Sequence, residues 1–463
     1  MLSRLSVDTL TELHHPLGGD TPLESRHHIR SEQHPEILAR WIRDPKVIEG
    51  PAAPRCAPGF AYASADFMPV RDDSGALRFH LLELNGSGTR GISNLPTSLQ
   101  ETLYSGVAEA AGDIEADPPL LLFPFRAGSP SGLRYERALL AQALAAGLEQ
   151  RHGRARLVWE PSRGSLPPGP TVAVGSSDDL RRALRARDRR MWLDERPVDA
   201  AFHDLFVQHL LDRFDGAVDS ECLLPINPFF RVSANKATTY PLFDAFLDAP
   251  REATEGEDGA GTRDLLARTG FETAGSRDEL LAILRRRVND GIHTVIKPKA
   301  AGVARGIAFF LAPLTDDVLV ERVDASIASV AFMTPERQPP RRAFPYAVCD
   351  LLDGATVPDP EHPLFGHRFE LRIVLYRQDG LVRAFPSIAK VSGERYQRAA
   401  VEDGMLLNTV ALSSSQAPGR PTEHALPLAN ASTLRALGVE VAEVERLCAH
   451  AVAFVDFIGR RGT

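Results

Sequence analysis

Between His293 and Leu311 the chain carries a pattern that few local structures can satisfy. A β-branched run, His293-Thr-Val-Ile, ends at Lys297-Pro-Lys299; the mostly small residues Ala300-Ala-Gly-Val-Ala-Arg-Gly306 follow; then the apolar run Ile307-Ala-Phe-Phe-Leu311 resumes. The order predicts strand, loop, strand, with a loop open enough to wrap phosphate. Only five lysines, Lys46, Lys236, Lys297, Lys299 and Lys390, occur among 53 lysine and arginine residues. Where arginine supplies nearly all positive charge, a retained lysine offers a compact ammonium on a flexible stem, which suits phosphate oxygens. An arginine-biased composition, with Lys297 as a plain strand cap, is the alternative reading.

The neighbouring segments are regular. Ser276 is placed as an N-cap with Glu279 in the capping-box position, and i, i+4 apolar spacing continues the helix to Val288. A second helix is predicted from Thr315 to about Val330, then a strand over Pro345 to Leu352. Two further strands, Phe369 to Tyr376 and Leu381 to Pro386, flank Arg377-Gln-Asp-Gly380, and Asp-Gly between apolar runs signals a hairpin. Upstream, a helix over Lys236 to Leu247 leads into the polar, glycine-rich stretch Pro250 to Gly261.

At 463 residues the chain exceeds what one core usually serves, so about two or three domains are expected. The boundaries fall at 1–118, 119–230 and 231–463. A formal net charge of −8 argues against nucleic acid or an anionic membrane as partner. No apolar run has transmembrane length. Met1 to Leu10 lacks the apolar core of a secretory signal, so cytoplasmic residence is the default expectation. Cys56, Cys222, Cys349 and Cys448 show no metal spacing and read as reduced packing residues. The early histidines, His14, His15, His27, His28 and His34, read as solvated surface beside a helix over Pro35 to Ile42.

Phe60 to Val70 and Leu77 to Leu84 predict a hairpin turned at Arg71-Asp-Asp-Ser-Gly-Ala76, followed by the glycine-rich loop Asn85 to Asn94. From Pro119 the pattern becomes βα: a strand at Leu120 to Phe125, a turn at Gly128 to Gly132, a helix over Arg134 to Gln150, strands at Ala155 to Trp159 and Thr171 to Val174, a helix from Ser177 to Arg187 and a strand at Met191 to Leu193. Repeated units of this kind predict an open α/β domain.

The order of elements from residue 231 to 413 resembles the ATP-grasp superfamily, whose members hold nucleotide phosphates with a lysine-bearing strand and a small flexible loop. Asn235-Lys236 resembles the family's earlier nucleotide lysine and Lys297 its strand lysine. Ala300 to Gly306, with Gly302 and Gly306, resembles the phosphate loop. Cys349-Asp350-Leu351-Leu352 resembles the linker that meets adenine, with Asp350 where glutamate is more usual; Val320-Glu321-Arg322-Val323 competes for that role. Glu370-Leu-Arg372 resembles the acidic-x-Arg strand, whose arginine stabilises a transferring phosphoryl group. A cross-strand surface pair is the structural alternative. Lys390 and Asn408 resemble the phosphate-side segment that follows.

Family members usually end on an Asp and a Glu-x-Asn that hold magnesium through oxygen. Val439 to Thr463 has no Glu-x-Asn, whereas Asp66 and Glu83-Leu-Asn85 supply the same groups in the early hairpin. Glu83 and Asn85, two apart on a strand, share a face. This order resembles the circular permutation of eukaryotic-type glutathione synthetases. The resemblance implies an α/β fold of the α+β ATP-grasp kind, permuted, with an open α/β substrate domain between its parts. It implies ATP and Mg2+ as cofactors, a small-molecule carboxylate and amine as substrates, an amino acid or peptide among them, and an amide formed through an acyl phosphate. Arg90 would orient a substrate carboxylate. A non-catalytic ATP-binding protein and an ATP-dependent phosphotransferase are the rival readings. Lys299 has no assigned role, and oligomeric state, homodimer included, stays open.

Overall fold

The structure, a computed structural model, describes residues 55–86, 97–125, 131–202, 214, 216–233, 235–249, 265–299, 306–331, 343–397, 425–428 and 431–461. In chain order, β1 (Tyr62–Arg71) and β2 (Leu77–Asn85) form the early hairpin and α1 (Thr97–Ala111) follows. Next come β3 (Leu120–Phe125), α2 (Ser131–His152), β4 (Arg156–Trp159), β5 (Thr171–Ser176), α3 (Ser177–Ala183), β6 (Leu184–Arg187), β7 (Arg190–Leu193), β8 (Arg196–Pro197), β9 (Ala200–Phe202) and β10 (Leu224–Ile226). A short α4 (Phe230–Ser233) precedes α5 (Lys236–Asp248), β11 (Leu266–Ala267), β12 (Phe271–Ala274), α6 (Arg277–Asn289), β13 (Thr294–Pro298), β14 (Ala308–Phe310), α7 (Asp316–Ala331) and β15 (Tyr346–Asp350). The long hairpin β16 (His367–Gln378) and β17 (Leu381–Arg395), then β18 (Ala425–Pro427), α8 (Ala431–Leu437) and α9 (Val441–Arg460) complete the described elements.

Strands from opposite ends of the sequence share one sheet, in the order β11-β2-β1-β16-β17-β18. Alternation decides its two faces. Ala63, Ala65 and Phe67 of β1 join Phe369, Leu371, Ile373 and Leu375 of β16 in a core closed by Val444, Leu447, Ala451, Val455 and Ile458 of α9. On the other face, Tyr62, Val374 and Tyr376 pack under Leu103, Tyr104 and Val107 of α1, while Asp66, Glu370, Arg372 and Lys390 form a buried charged half. Apolar cover thus lies on one half of that face and buried charge on the other.

The middle of the chain is a five-stranded sheet, β10-β9-β3-β5-β4, whose described pairings are all parallel. This is the βα architecture expected from Pro119 onward. The helix expected to run from Ser177 to Arg187 instead stops at Ala183. Leu184 turns to extended backbone and β6 pairs with β7, because that pairing packs Leu184, Met191 and Leu193 together against Leu122 and Leu180, a burial that outweighs helical propensity. Asn227, fully buried at φ 63°, ties this unit to the charged sheet: its Oδ1 accepts from the backbone N–H of Ala61 at 2.9 Å and Tyr62 at 3.0 Å.

The third layer is an antiparallel sheet, β12-β15-β13-β14. Leu280, Leu281 and Leu284 of α6, with Leu319 and Val323 of α7, cover Ile296, Phe310, Tyr346 and Val348 on one face. Ser276 caps α6 as expected, accepting from Glu279 N–H at 3.2 Å, but the Glu279 carboxylate reaches Gly275 N–H at 2.7 Å, one residue earlier than a capping box requires. Glu321 lies inside α7, so Val320-Glu-Arg-Val323 is helix and not a linker; its apolar spacing is spent on burying Val323.

Candidate functional site

A β-bulge builds the charged half of the large sheet. Along β2, Phe79 and Leu81 face the apolar core, and strict alternation would send Glu83 after them. The register instead shifts between Asp66 and Phe67, leaving Leu82 unpaired, so that Phe67 opposes Leu81 while Asp66 opposes Glu83 and Ser64 opposes Asn85. The slip moves Leu84 into the core and brings Glu83 and Asn85 onto the face of Asp66. On the other side of β1, Asp66 opposes Arg372, and Glu370 opposes Lys390 across β16 and β17.

Asp66, with no exposed surface, is the hub. Arg372 donates to it twice, Nε to Oδ1 and Nη2 to Oδ2, both at 2.7 Å. Lys390 Nζ donates to Oδ2 at 2.8 Å and Asn85 Nδ2 approaches the same oxygen at 3.5 Å. Lys390 also pairs with Glu370. At the other end Asn85 Nδ2 donates to Glu83 Oε1 at 3.0 Å, and Lys236 Nζ lies 3.4 Å from Glu83 Oε2. Glu370, Lys390, Asp66, Arg372, Glu83 and Lys236 therefore form one alternating row of charge across four strands and a helix.

The row shifts the pKa of Glu370, Glu83, Arg372 and Lys390. Burial pushes the Glu370 carboxyl up to about 7 although Lys390 opposes the rise. Burial acts the same way on Glu83, yet Lys236, Lys390 and Arg372 hold it well below its ordinary value. Arg372 and Lys390 both move upward: burial acts against their charge, and for Lys390 so does Arg372, but Asp66, Glu83 and Glu370 outweigh this.

The lysine-bearing sheet meets this row at the bulge. Lys297 is buried, and its Nζ donates to Tyr240 Oη at 2.6 Å and to the carbonyl of the bulged Leu82 at 3.3 Å; Tyr240 donates to that carbonyl at 2.7 Å. Burial lowers the Lys297 pKa and raises that of Tyr240 well above its usual range. Tyr240, Val295, Phe309, Ala347 and Cys349 form a small apolar patch between the sheets. At the end of β15, Asp350 is held by Arg287, which also donates to Thr294 Oγ1 at 3.0 Å and Glu272 at 3.2 Å. The Leu352 carbonyl accepts from Arg368. Gly306 sits at φ 68° with its carbonyl accepting from Ser326 Oγ at 2.5 Å, and a Cβ there would press on Val330 and Pro298.

Asp66, Glu83, Asn85, Arg372, Lys390 and Lys236 are thus brought together, and Lys297 and Cys349 stand at the same junction. Asp350 ends β15, Leu352 lies two residues beyond it, and Lys299 is exposed. Arg90, Gly302 and Asn408, the loop at Gly128 and the histidine-rich segment lie outside the described residues. The sequence pattern singles out neither Tyr240 nor Glu370 as a site residue. Tyr240 follows Lys236 by four on a helix, a spacing that places both on one face. Glu370 stands in the sequence only as the acidic member of a strand motif. Among the described residues no three His, Cys, Asp or Glu side chains converge as a metal-binding group. No described helix is long and apolar enough to cross a membrane. The cysteines are free thiols, Cys349 and Cys448 buried and Cys222 exposed.

No protein-family model and no curated protein sequence matches the chain. Among solved structures it is similar to a candidate gamma-glutamylcysteine synthetase from Methylobacillus flagellatus, with 15% identity, a TM-score of 0.40, and 98% of this chain and 97% of that chain covered. It is also similar to a glutathione synthetase-like effector from Globodera pallida, at 14% identity and TM-score 0.35, covering 83% and 82%. D-alanyl-alanine synthetase A from Vibrio cholerae O1 aligns at 12% identity and TM-score 0.34, covering 72% and 79%. The chain is a mixed α/β protein built from several sheets, and all three of these structures carry synthetase names.

Proposed function

We propose that the chain is an ATP-dependent carboxylate-amine ligase with a permuted ATP-grasp site. One observation carries this reading: Asp66, Glu83 and Asn85 from the early hairpin share a charged face with Arg372 and Lys390, next to Lys297. That is the grouping the sequence resemblance requires of segments about three hundred residues apart.

ATP would supply the phosphoryl group that activates a carboxylate as an acyl phosphate, and the protein's own share is positioning and charge neutralisation. Lys236, beside Glu83, and Lys297, bonded to the Leu82 carbonyl, would take phosphate oxygens. Arg372, its fork fixed by Asp66, would meet charge developing on the transferred group. Glu83 and Asn85 present a carboxylate and an amide side by side, with the Glu83 side chain 31% exposed, a donor set that suits magnesium, which is commonly held by one or two carboxylates plus phosphate oxygens. Rotation of the Asn85 amide would turn its oxygen to the ion. The adenine would lie along Asp350 to Leu352, and Arg90, Gly302 and Asn408 take their roles from the resemblance alone.

Incubation with ATP, Mg2+ and paired amino acids or peptides should release phosphate only when an acceptable acid and amine are both present. Hydroxylamine in place of the amine should yield a hydroxamate, the signature of an acyl phosphate. Turnover without ATP, or phosphate release with no hydroxamate from any acid, would reject the ligase.

A further inference from the structure

The geometry points to Asp66 as a positioning residue that fixes Arg372 and Lys390, and not as a ligand of the magnesium ion; it rests on the ligase reading above. Asp66 has no surface open to a cation. Its two oxygens already receive three charge-assisted bonds, two from the Arg372 fork at 2.7 Å and one from Lys390 at 2.8 Å, with the Asn85 amide at 3.5 Å. A divalent cation on either oxygen would have to displace an arginine or a lysine and then sit beside the displaced charge. Glu83 is different. It has exposed surface, with Lys236 at 3.4 Å and Arg372 more distant at 3.9 Å.

The arrangement also explains why a carboxylate is buried there. Arg372 and Lys390 descend from adjacent strands and would repel one another; Asp66, opposite Arg372 in register, accepts from both and holds the two cations in one place. Glu370 secures Lys390 from the far side. Asp66 thereby sets where two phosphate-facing cations stand, while partly neutralising them. Its removal leaves the metal ligands in place but frees a positive charge toward the phosphates.

Titration calorimetry of ATP binding at a series of Mg2+ concentrations, and in EDTA, separates the roles. Asp66→Asn should leave the Mg2+ concentration needed for half-maximal ATP affinity within about twofold of wild type, while tightening metal-free ATP binding by about tenfold through the unneutralised cations. Glu83→Gln should raise the Mg2+ requirement by about tenfold or more. Equal shifts in Mg2+ requirement for the two variants would overturn the assignment and leave the ligase reading intact. A wild-type chain that binds no ATP at any Mg2+ concentration would overturn both. If Asp66→Asn does not fold, wild-type crystals with Mn2+ and a non-hydrolysable ATP analogue decide the matter: the anomalous peak should lie against Glu83 and Asn85, and a peak bonded to Asp66 refutes the inference.

Discussion

Asp66 and Arg372, 306 positions apart in sequence, are joined by two hydrogen bonds of 2.7 Å across neighbouring strands. The pair couples the early hairpin to the late one at the point where the charge row is most deeply buried. Arg372→Ala would strand the Asp66 carboxylate, leaving Lys390 as its one cationic partner among the described residues. Breaking a buried pair costs about 3–5 kcal/mol, and the surviving lysine places the expected loss near the lower end. Arg372→Lys should recover part of it, since charge is kept and the fork is lost. Urea denaturation of both variants measures the difference.

Lys297 should show the opposite balance between stability and binding. Its ammonium is buried against a tyrosine and one carbonyl, an environment that lowers its pKa. Lys297→Met keeps the stem and removes the charge, so stability should stay within about 1 kcal/mol of wild type or rise. ATP affinity should fall about tenfold or more, read by calorimetry on the same preparation.

Glu370 gives the site a pH signature. Its carboxyl is raised from 4.5 to about 7 in the folded chain, burial being the chief cause. Between these values the folded state holds a proton that the unfolded state has released, so this group makes stability fall as pH rises from 4.5 through 7. Below 4.5 both states are protonated and the contribution vanishes. Glu370→Gln removes the term, and its stability relative to wild type should therefore improve steadily across that window. Paired denaturation curves at pH 5, 6, 7 and 8 show whether the gap grows.

Gly147 marks a close approach of two helices. A Cβ at this position would run into the Ala108 backbone where α2 crosses α1, and Gly106 meets the Arg377 backbone on the other side of α1. Gly147→Ala should cost about 1–3 kcal/mol from overpacking, despite alanine's better helix propensity. ATP affinity should be unchanged, because the contact lies under the apolar half of the sheet.

Much of the local structure was legible because strands and helices announce themselves by period. The βα order after Pro119, the capped α6, the strand ending at Lys297-Pro298 and the Asp-Gly hairpin were readable from local pattern alone. Lys390 illustrates the limit. The sequence marks it as a rare lysine but ends the strand at Pro386, whereas β17 runs on to Arg395 because β16 extends beside it and β18 partly covers its other edge. The helix that became β6 failed for the same reason, since its fate depended on where Leu184 could be buried.

The sequence by itself determined which groups are available: a lysine strand, an acidic hairpin with Glu83 and Asn85 two apart, and an arginine two beyond Glu370. Tertiary structure decided how they are used. The unpaired Leu82 is invisible to local periodicity, yet it turns Glu83 toward Asp66 and frees a carbonyl for Lys297 and Tyr240. Burial then separates two carboxylates that the sequence treats alike: Asp66 is closed off and bonded to Arg372 and Lys390, while Glu83 keeps exposed surface. Side-chain type is written residue by residue, but solvent exposure and charge partners arise only when distant strands pair.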